Sequence, residues 1–261
     1  MFYRAKLHRH MLWRFSKNRN CDEIQRNKQA PMKPHHVKLL TSVSSALIAP
    51  YDVIICPGLA GLPRQALEVA ALLPISAMNE PTLAFLKSDA QLTHNGFQEK
   101  QDVSAVTLAL MMADPFLRPQ AIFDLLRRKR IKRVTNYPTI QLHDGDSARA
   151  FKSASIGLNR EIEMMTAFCQ AGFAGTAFVT SLDAARLMLQ AGADTLVLHP
   201  GLFLLDWRSR ATAAKRINQT LLHLRADENA KAKILVMKPD GYGAELDTIC
   251  QMADGTVTFE L

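Results

Sequence analysis

The first candidates for chemistry in this chain are polar residues that close apolar runs. His199 ends DTLVLH and is followed by Pro200 and Gly201. An imidazole there suits a general acid or base or a metal ligand, because its charge changes near neutral pH. The alternative is a neutral histidine hydrogen-bonded among core residues. Asn136 and Thr139 bracket Tyr137 and Pro138. Proline biases the residue before it toward extended backbone, which would hold the Asn136 amide at the end of its run; the other reading is an Asn that closes a turn. Asp114 follows AVTLALMM, Lys238 and Asp240 follow KILVMK, and Asn79 and Glu80 follow LLPISAM. Glu161 and Glu163 lie two apart on a stretch of helical period, so at most one can face a site, and either could be solvated at a helix N-terminus. Asp144, Gly145 and Asp146 read as a turn without the acid spacing of an EF-hand loop. The histidines His8, His10, His35, His36, His94, His143 and His223 sit in polar or loop contexts and read as surface.

Eight short apolar runs carry these residues: 37–43, 51–57, 105–112, 131–137, 174–180, 194–199, 233–238 and 255–261. They are nearly continuous in apolar character, as strands of a parallel sheet covered by helices must be. Helical stretches separate them. Asp114 before Pro115 predicts a capped start for PFLRPQAIFDLLRRKR, whose last turn is basic. Ser181 predicts the cap of LDAARLMLQ, and Gly192 its left-handed stop. Residues 161–171 and 212–224 share the 3.6 period. Eight runs alternating with helices predict an α/β fold, a closed (βα)8 TIM barrel over residues 36–261. The connection SSALIAP is short for a helix, and LLPISAM (72–78) reads as a ninth strand or part of a loop. In such barrels function sits on the loops after the strands' C-terminal ends, which is where the polar residues fall.

The chain has 261 residues, is 48% hydrophobic and carries a net charge of +8. Residues 1–38 hold ten Lys or Arg against Asp22 and Glu23, so this segment accounts for the whole net charge. Residues 1–35 therefore read as a basic extension, a helix or tail, and no specific nucleic-acid surface is expected on the barrel. Arg mixed with apolar residues in FYRAKLHRHMLWRF also fits a transit peptide, so a cytoplasmic location is expected with a mitochondrial one as the alternative. Four scattered cysteines suggest neither a zinc site nor a disulfide framework. No apolar run reaches the roughly 18 residues of a membrane span. GxGxxG, GxxxxGK[ST] and GxSxG are all absent.

The order Asn136-Tyr-Pro-Thr139, Asp144-Gly145, Gly157, Glu161-Ile-Glu163-Met164, Gly172-Phe, Thr176-Ala-Phe-Val179, Ala191-Gly-Ala-Asp194 and His199-Pro-Gly-Leu202 resembles the phosphoenolpyruvate hydrolase-like TIM-barrel family. Tyr51-Asp-Val-Ile-Ile55, Asn79-Glu80 and Asp114-Pro-Phe116 match it more loosely. The resemblance implies a barrel related to phosphoenolpyruvate mutase and isocitrate lyase, with pyruvate-like or phosphonate substrates and a divalent cation such as magnesium. The departures are specific. The family's Asn-Ser-Gly-Arg-Phe-Arg loop is Cys56-Pro-Gly-Leu-Ala-Gly-Leu-Pro-Arg64 here, leaving Arg64 as the nearest arginine. Its tyrosine before the two glutamates is Leu158, its Gly-Gly-Pro is Lys238-Pro-Asp240, and its closing Ser-Ser-x-Glu-Arg is gone. These changes remove amides and arginines suited to an anion.

The expected site is a barrel mouth made from Asn136, Thr139, Glu163, His199 and Lys238, with Asn79 and Arg64 beside it. His199 would be the acid or base, Asn136 would orient a substrate oxygen, and Lys238 would neutralise a carboxylate. Asp114 or Glu163 would hold the cation that the resemblance implies. The expected activity is hydrolysis or C–C/C–P lysis of a small pyruvate-like or phosphonate acid, in a homo-oligomer. The rival expectation is a non-catalytic barrel that works through assembly or partner binding.

Overall fold

The computed structural model describes residues 35–42, 52–63, 66–67, 77–88, 106–201, 206–227 and 231–260. The basic segment 1–34, SSALIAP, Arg64 and most of LLPISAM lie outside these residues.

Eight parallel strands close into a barrel in sequence order: β1 (His35–Leu40), β2 (Val53–Ile55), β3 (Val106–Ala109), β4 (Arg133–Thr135), β5 (Ala174–Val179), β6 (Ala193–Leu198), β7 (Lys233–Met237) and β8 (Gly255–Glu260). All eight expected runs hold a strand. Seven helices are described in full: α1 (Glu80–Lys87), α2 (Pro119–Arg128), α3 (Gly145–Ser153), α4 (Leu158–Gln170), α5 (Leu182–Gln190), α6 (Trp207–Ala226) and α7 (Ala244–Met252). None of the described helices is long and apolar enough to cross a membrane.

Strand alternation sorts the apolar residues into two cores. Leu39, Ile54, Phe178, Val197, Leu235 and Val257 fill the barrel interior. Leu40, Ile55, Leu108, Val134, Val179, Leu198 and Val236 face outward and pack against the helices. Both faces are buried, so the runs read as continuously apolar. The closing seam pairs β1 with β8 from His35↔Gly255 to Leu40↔Glu260. A side chain at position 255 would bring a Cβ to 2.0 Å from the His35 carbonyl oxygen, so only glycine fits there.

Caps explain the helix limits. Ser181 Oγ accepts the Ala184 N–H at 3.2 Å, and Gly192 has φ +101 after α5, both as the sequence predicts. The expected start of α2 needs correction. Asp114 does not cap that helix: it accepts the Phe116 N–H at 2.8 Å in a turn, and α2 begins at Pro119. Arg118, held extended by the proline that follows it, separates turn from helix.

Candidate functional site

Strand parity decides what reaches the barrel axis. On the β4 run Val134 packs outward, so Tyr137 points inward and Asn136 turns toward α4. Asn136 is fully buried. Its Nδ2 donates to the Phe178 carbonyl at 3.1 Å, and its Oδ1 accepts the Phe178 N–H at 2.7 Å. The side chain thus pairs with β5 as a strand's own peptide group would. The same Nδ2 donates to Glu161 Oε2 at 2.9 Å.

Glu161 is the buried glutamate of the pair, at the first turn of α4, where the helix dipole favours a carboxylate. Thr139 Oγ1 and Gln141 Nε2 each donate to Oε2 at 2.9 Å, and the Ile140 N–H donates to Oε1 at 2.8 Å. Burial pushes this carboxyl above its ordinary value, and the four donors, Gln141 foremost, pull it back. Glu163, the glutamate expected at the mouth, is instead exposed and lies 3.3 Å from Arg160 on the outer side of α4. Two residues advance a helix by about 200°, which sends the pair to opposite sides.

A second buried cluster repeats the arrangement between α1 and β3. Asn79 Nδ2 donates to the Met111 carbonyl at 3.1 Å, its Oδ1 accepts the Met111 N–H at 2.9 Å, and Nδ2 also donates to Asp114 Oδ2 at 2.9 Å. Asp114, Asn136 and Thr139 therefore follow strand ends as expected, and Asn79 lies in the loop after β2 at the start of α1, but their polar atoms engage the protein itself.

The sequence places His199 on the inward parity of β6, two residues beyond Val197. Its ring lies 6.5 Å from Tyr137 and 6.2 Å from Phe178, centroid to centroid. Nδ1 accepts the Gly201 N–H at 3.1 Å, so Nε2 carries the proton. Burial first, and the Arg216 charge second, lower its pKa to about 3. It is a neutral imidazole at physiological pH. Lys238 is part-exposed and donates to Asp247 on α7 at 2.7 Å, which commits its charge outside the barrel axis.

The residues proposed for a divalent cation do not fit one. Asp114 accepts a hydrogen bond on each oxygen, Glu163 is paired with Arg160, and no group of three or more His, Cys, Asp or Glu side chains converges among the described residues. A hard cation needs several free oxygens. Cys56, Cys169 and Cys250 are free, and burial pushes the Cys56 thiol up to about 12.

A cavity of ≈ 790 Å³ opens at the C-terminal side of β3, β4 and β5, off the barrel axis. One side is the loop before α2, with Pro115 and Arg118, together with Arg160 and Glu163 of α4. The other is α3, with Phe151 and Lys152, and His143 packed edge-on to Phe151 at 4.7 Å. Ile140, Gln141 and Thr180 line it where β4 and β5 end. Arg118, Lys152 and Arg160 line the cavity with one carboxylate, Glu163, which pairs with Arg160, and no ion pair engages Arg118 or Lys152 among the described residues. Arg160 is fixed by Nη2 on the Leu117 carbonyl at 2.8 Å. Gly157 caps α4 without a side chain, leaving the helix's first turn at the cavity edge. His143 is half-buried here rather than at the surface, and burial lowers its pKa.

Sequence reasoning missed Gln141, Arg118, Lys152 and Arg160, which lie on loops, in the last turn of α3 and in the first turn of α4, outside the apolar runs. One usable signal was present: Arg118 directly before Pro119 marks a charged residue held in extended loop backbone.

A family model described as phosphoenolpyruvate hydrolase-like matches residues 65–241. The ToMV resistance protein Tm-1(GCR237) of Solanum lycopersicum is 33% identical over 98 residues, which is 38% of this chain and 13% of that protein. The chain thus matches only a small part of that relative's length. The uncharacterized protein y4oT of Sinorhizobium fredii is 28% identical over 142 residues, 54% of this chain and 67% of that protein. Among solved structures, a putative phosphonomutase from Burkholderia cenocepacia J2315 is similar at 13% identity and a TM-score of 0.46, covering 87% of this chain and 86% of that one. Because the family match spans about two thirds of the residues, the chain belongs to the phosphoenolpyruvate hydrolase-like family.

Proposed function

We propose that this barrel binds a small organic acid, a carboxylate or phosphonate, in the cavity beside β3, β4 and β5, as a divergent member of the phosphoenolpyruvate hydrolase-like family. The observation that carries this reading is the charge imbalance of the cavity. Arg160 and Glu163 offset one another, which leaves Arg118 and Lys152 to neutralise a ligand of about two negative charges. The reaction in view is hydrolysis or C–C/C–P lysis of a pyruvate-like acid. Its acid–base group would be sought first at His143, which lines the cavity, rather than at His199, which does not.

A second reading is a barrel that binds without turnover. It is favoured by the engagement of Asn79, Asp114, Asn136 and Thr139 with the protein itself, which leaves none of them free to orient a substrate.

Thermal-shift titration with phosphoenolpyruvate, pyruvate and phosphonopyruvate, with and without magnesium, tests both. Binding at a hundred times the dissociation constant adds about 2.7 kcal/mol, or roughly 5–10 °C in Tm for a chain of this size. The double variant Arg118→Ala/Lys152→Ala should lose that shift. No shift with any acid refutes the anion reading. A shift without release of product over hours selects the non-catalytic one.

A further inference from the structure

We infer that the acid taken by this cavity carries an apolar, ring-sized body, so that the ligand is an amphiphilic carboxylate or phosphonate of which a pyruvate-like acid is only the head. This rests on the anion reading above and extends it.

Volume is the first argument. Phosphonopyruvate has ten heavy atoms. Even at ~30 Å³ for each, the share of a water molecule in the liquid, it would fill roughly 300 Å³. The cavity offers ≈ 790 Å³, within the ~300–1,000 Å³ typical of sites for ligands several times that size. More than half of the space would stay with water.

The second argument is α3. This nine-residue helix buries none of its residues, although a helix this short depends on packing an apolar face for its stability. Two of its three apolar side chains, Ala148 and Phe151, line the cavity instead, with Ile156 just beyond its end. His143 stands edge-on to Phe151 and widens that wall.

Polarity is the third. Arg160 is tied to the Leu117 carbonyl and thereby sits with Arg118 on the side of the loop before α2. Phe151 and His143 form the side of α3. Lys152 stands beside them on α3, so the cavity combines the exposed cations Arg118 and Lys152 with a half-buried aromatic wall, which matches a ligand with a charged head and an apolar body.

Calorimetric titration of the full chain with methylphosphonate and phenylphosphonate separates head from body, because the head is shared. Phenylphosphonate should bind at least about ten times more tightly. In Phe151→Ala that ratio should fall to about two or less, while in Trp207→Ala, which removes an exposed aromatic outside the cavity, it should stay near ten. Circular dichroism of Phe151→Ala checks that the fold is retained, as expected for a helix without core burial. Equal affinities in the wild type overturn the apolar body and leave the anion reading standing. A ratio unchanged in Phe151→Ala overturns its assignment to α3. Failure of both phosphonates to bind overturns the anion reading and this inference together.

Discussion

Glu161 and Glu163 should respond in opposite ways to the same change. In Glu161→Gln one oxygen becomes a donor, facing either the amides of Asn136 and Gln141 or the Ile140 N–H, all of which donate. The expected loss is about 2–3 kcal/mol in urea denaturation. Glu163→Gln, exposed beside Arg160, should change stability by less than about 0.5 kcal/mol. His199 sets a pH dependence. Its folded pKa of about 3 lies below its ordinary 6.5, so the unfolded chain takes up the proton first on acidification. The neutral ring's contribution is whole above about pH 6.5 and is lost progressively as pH falls toward 3. His199→Gln should therefore show a flatter stability profile than the wild type between pH 6.5 and 4, and parallel profiles would contradict the burial of a neutral ring. The importance of Asn136, Thr139, Asp114 and His199 was legible from their positions at run ends. Their orientation was not. A strand buried on both faces gives no alternating pattern, so nothing in VTNYP says whether Asn136 or Tyr137 turns inward.

Among the elements, α4 and β5 are joined through Asn136, and α1 and β3 through Asn79, each Asn standing in for a peptide group beyond the last ladder bond. Removing either should loosen the strand end it holds. Hydrogen exchange is expected to accelerate at the Phe178 amide in Asn136→Ala and at the Met111 amide in Asn79→Ala, with little change at the opposite strand end. Acceleration spread evenly over the barrel would argue for global destabilisation instead. Strand and helix order was readable because parallel α/β folds leave apolar runs and capped helices, as at Ser181 and Gly192. The start of α2 was misread because Asp114-Pro115 has the local chemistry of a cap, while Pro119, four residues on, settles where a continuous helix can begin. The cavity was not legible: its cations come from the loop before α2, from α3 and from α4, which only the folded chain brings together.

For the molecule as a whole, closure is the critical event. Gly255→Ala should destabilise the barrel by at least about 3 kcal/mol, since its Cβ would meet main chain rather than a side chain that can move; a loss under 1 kcal/mol would mean that the seam can open to admit it. The same seam bears on how the protein is made. His36 and its partner Thr256 are 220 residues apart in the chain. At ~5–20 residues per second, roughly 10–45 s separate the synthesis of β1 from that of β8. Throughout that interval the nascent chain carries one strand whose edge has no partner of its own, and such an edge is a template for pairing with another polypeptide. Until β8 is made that edge is open, and in the finished barrel it is paired along its length.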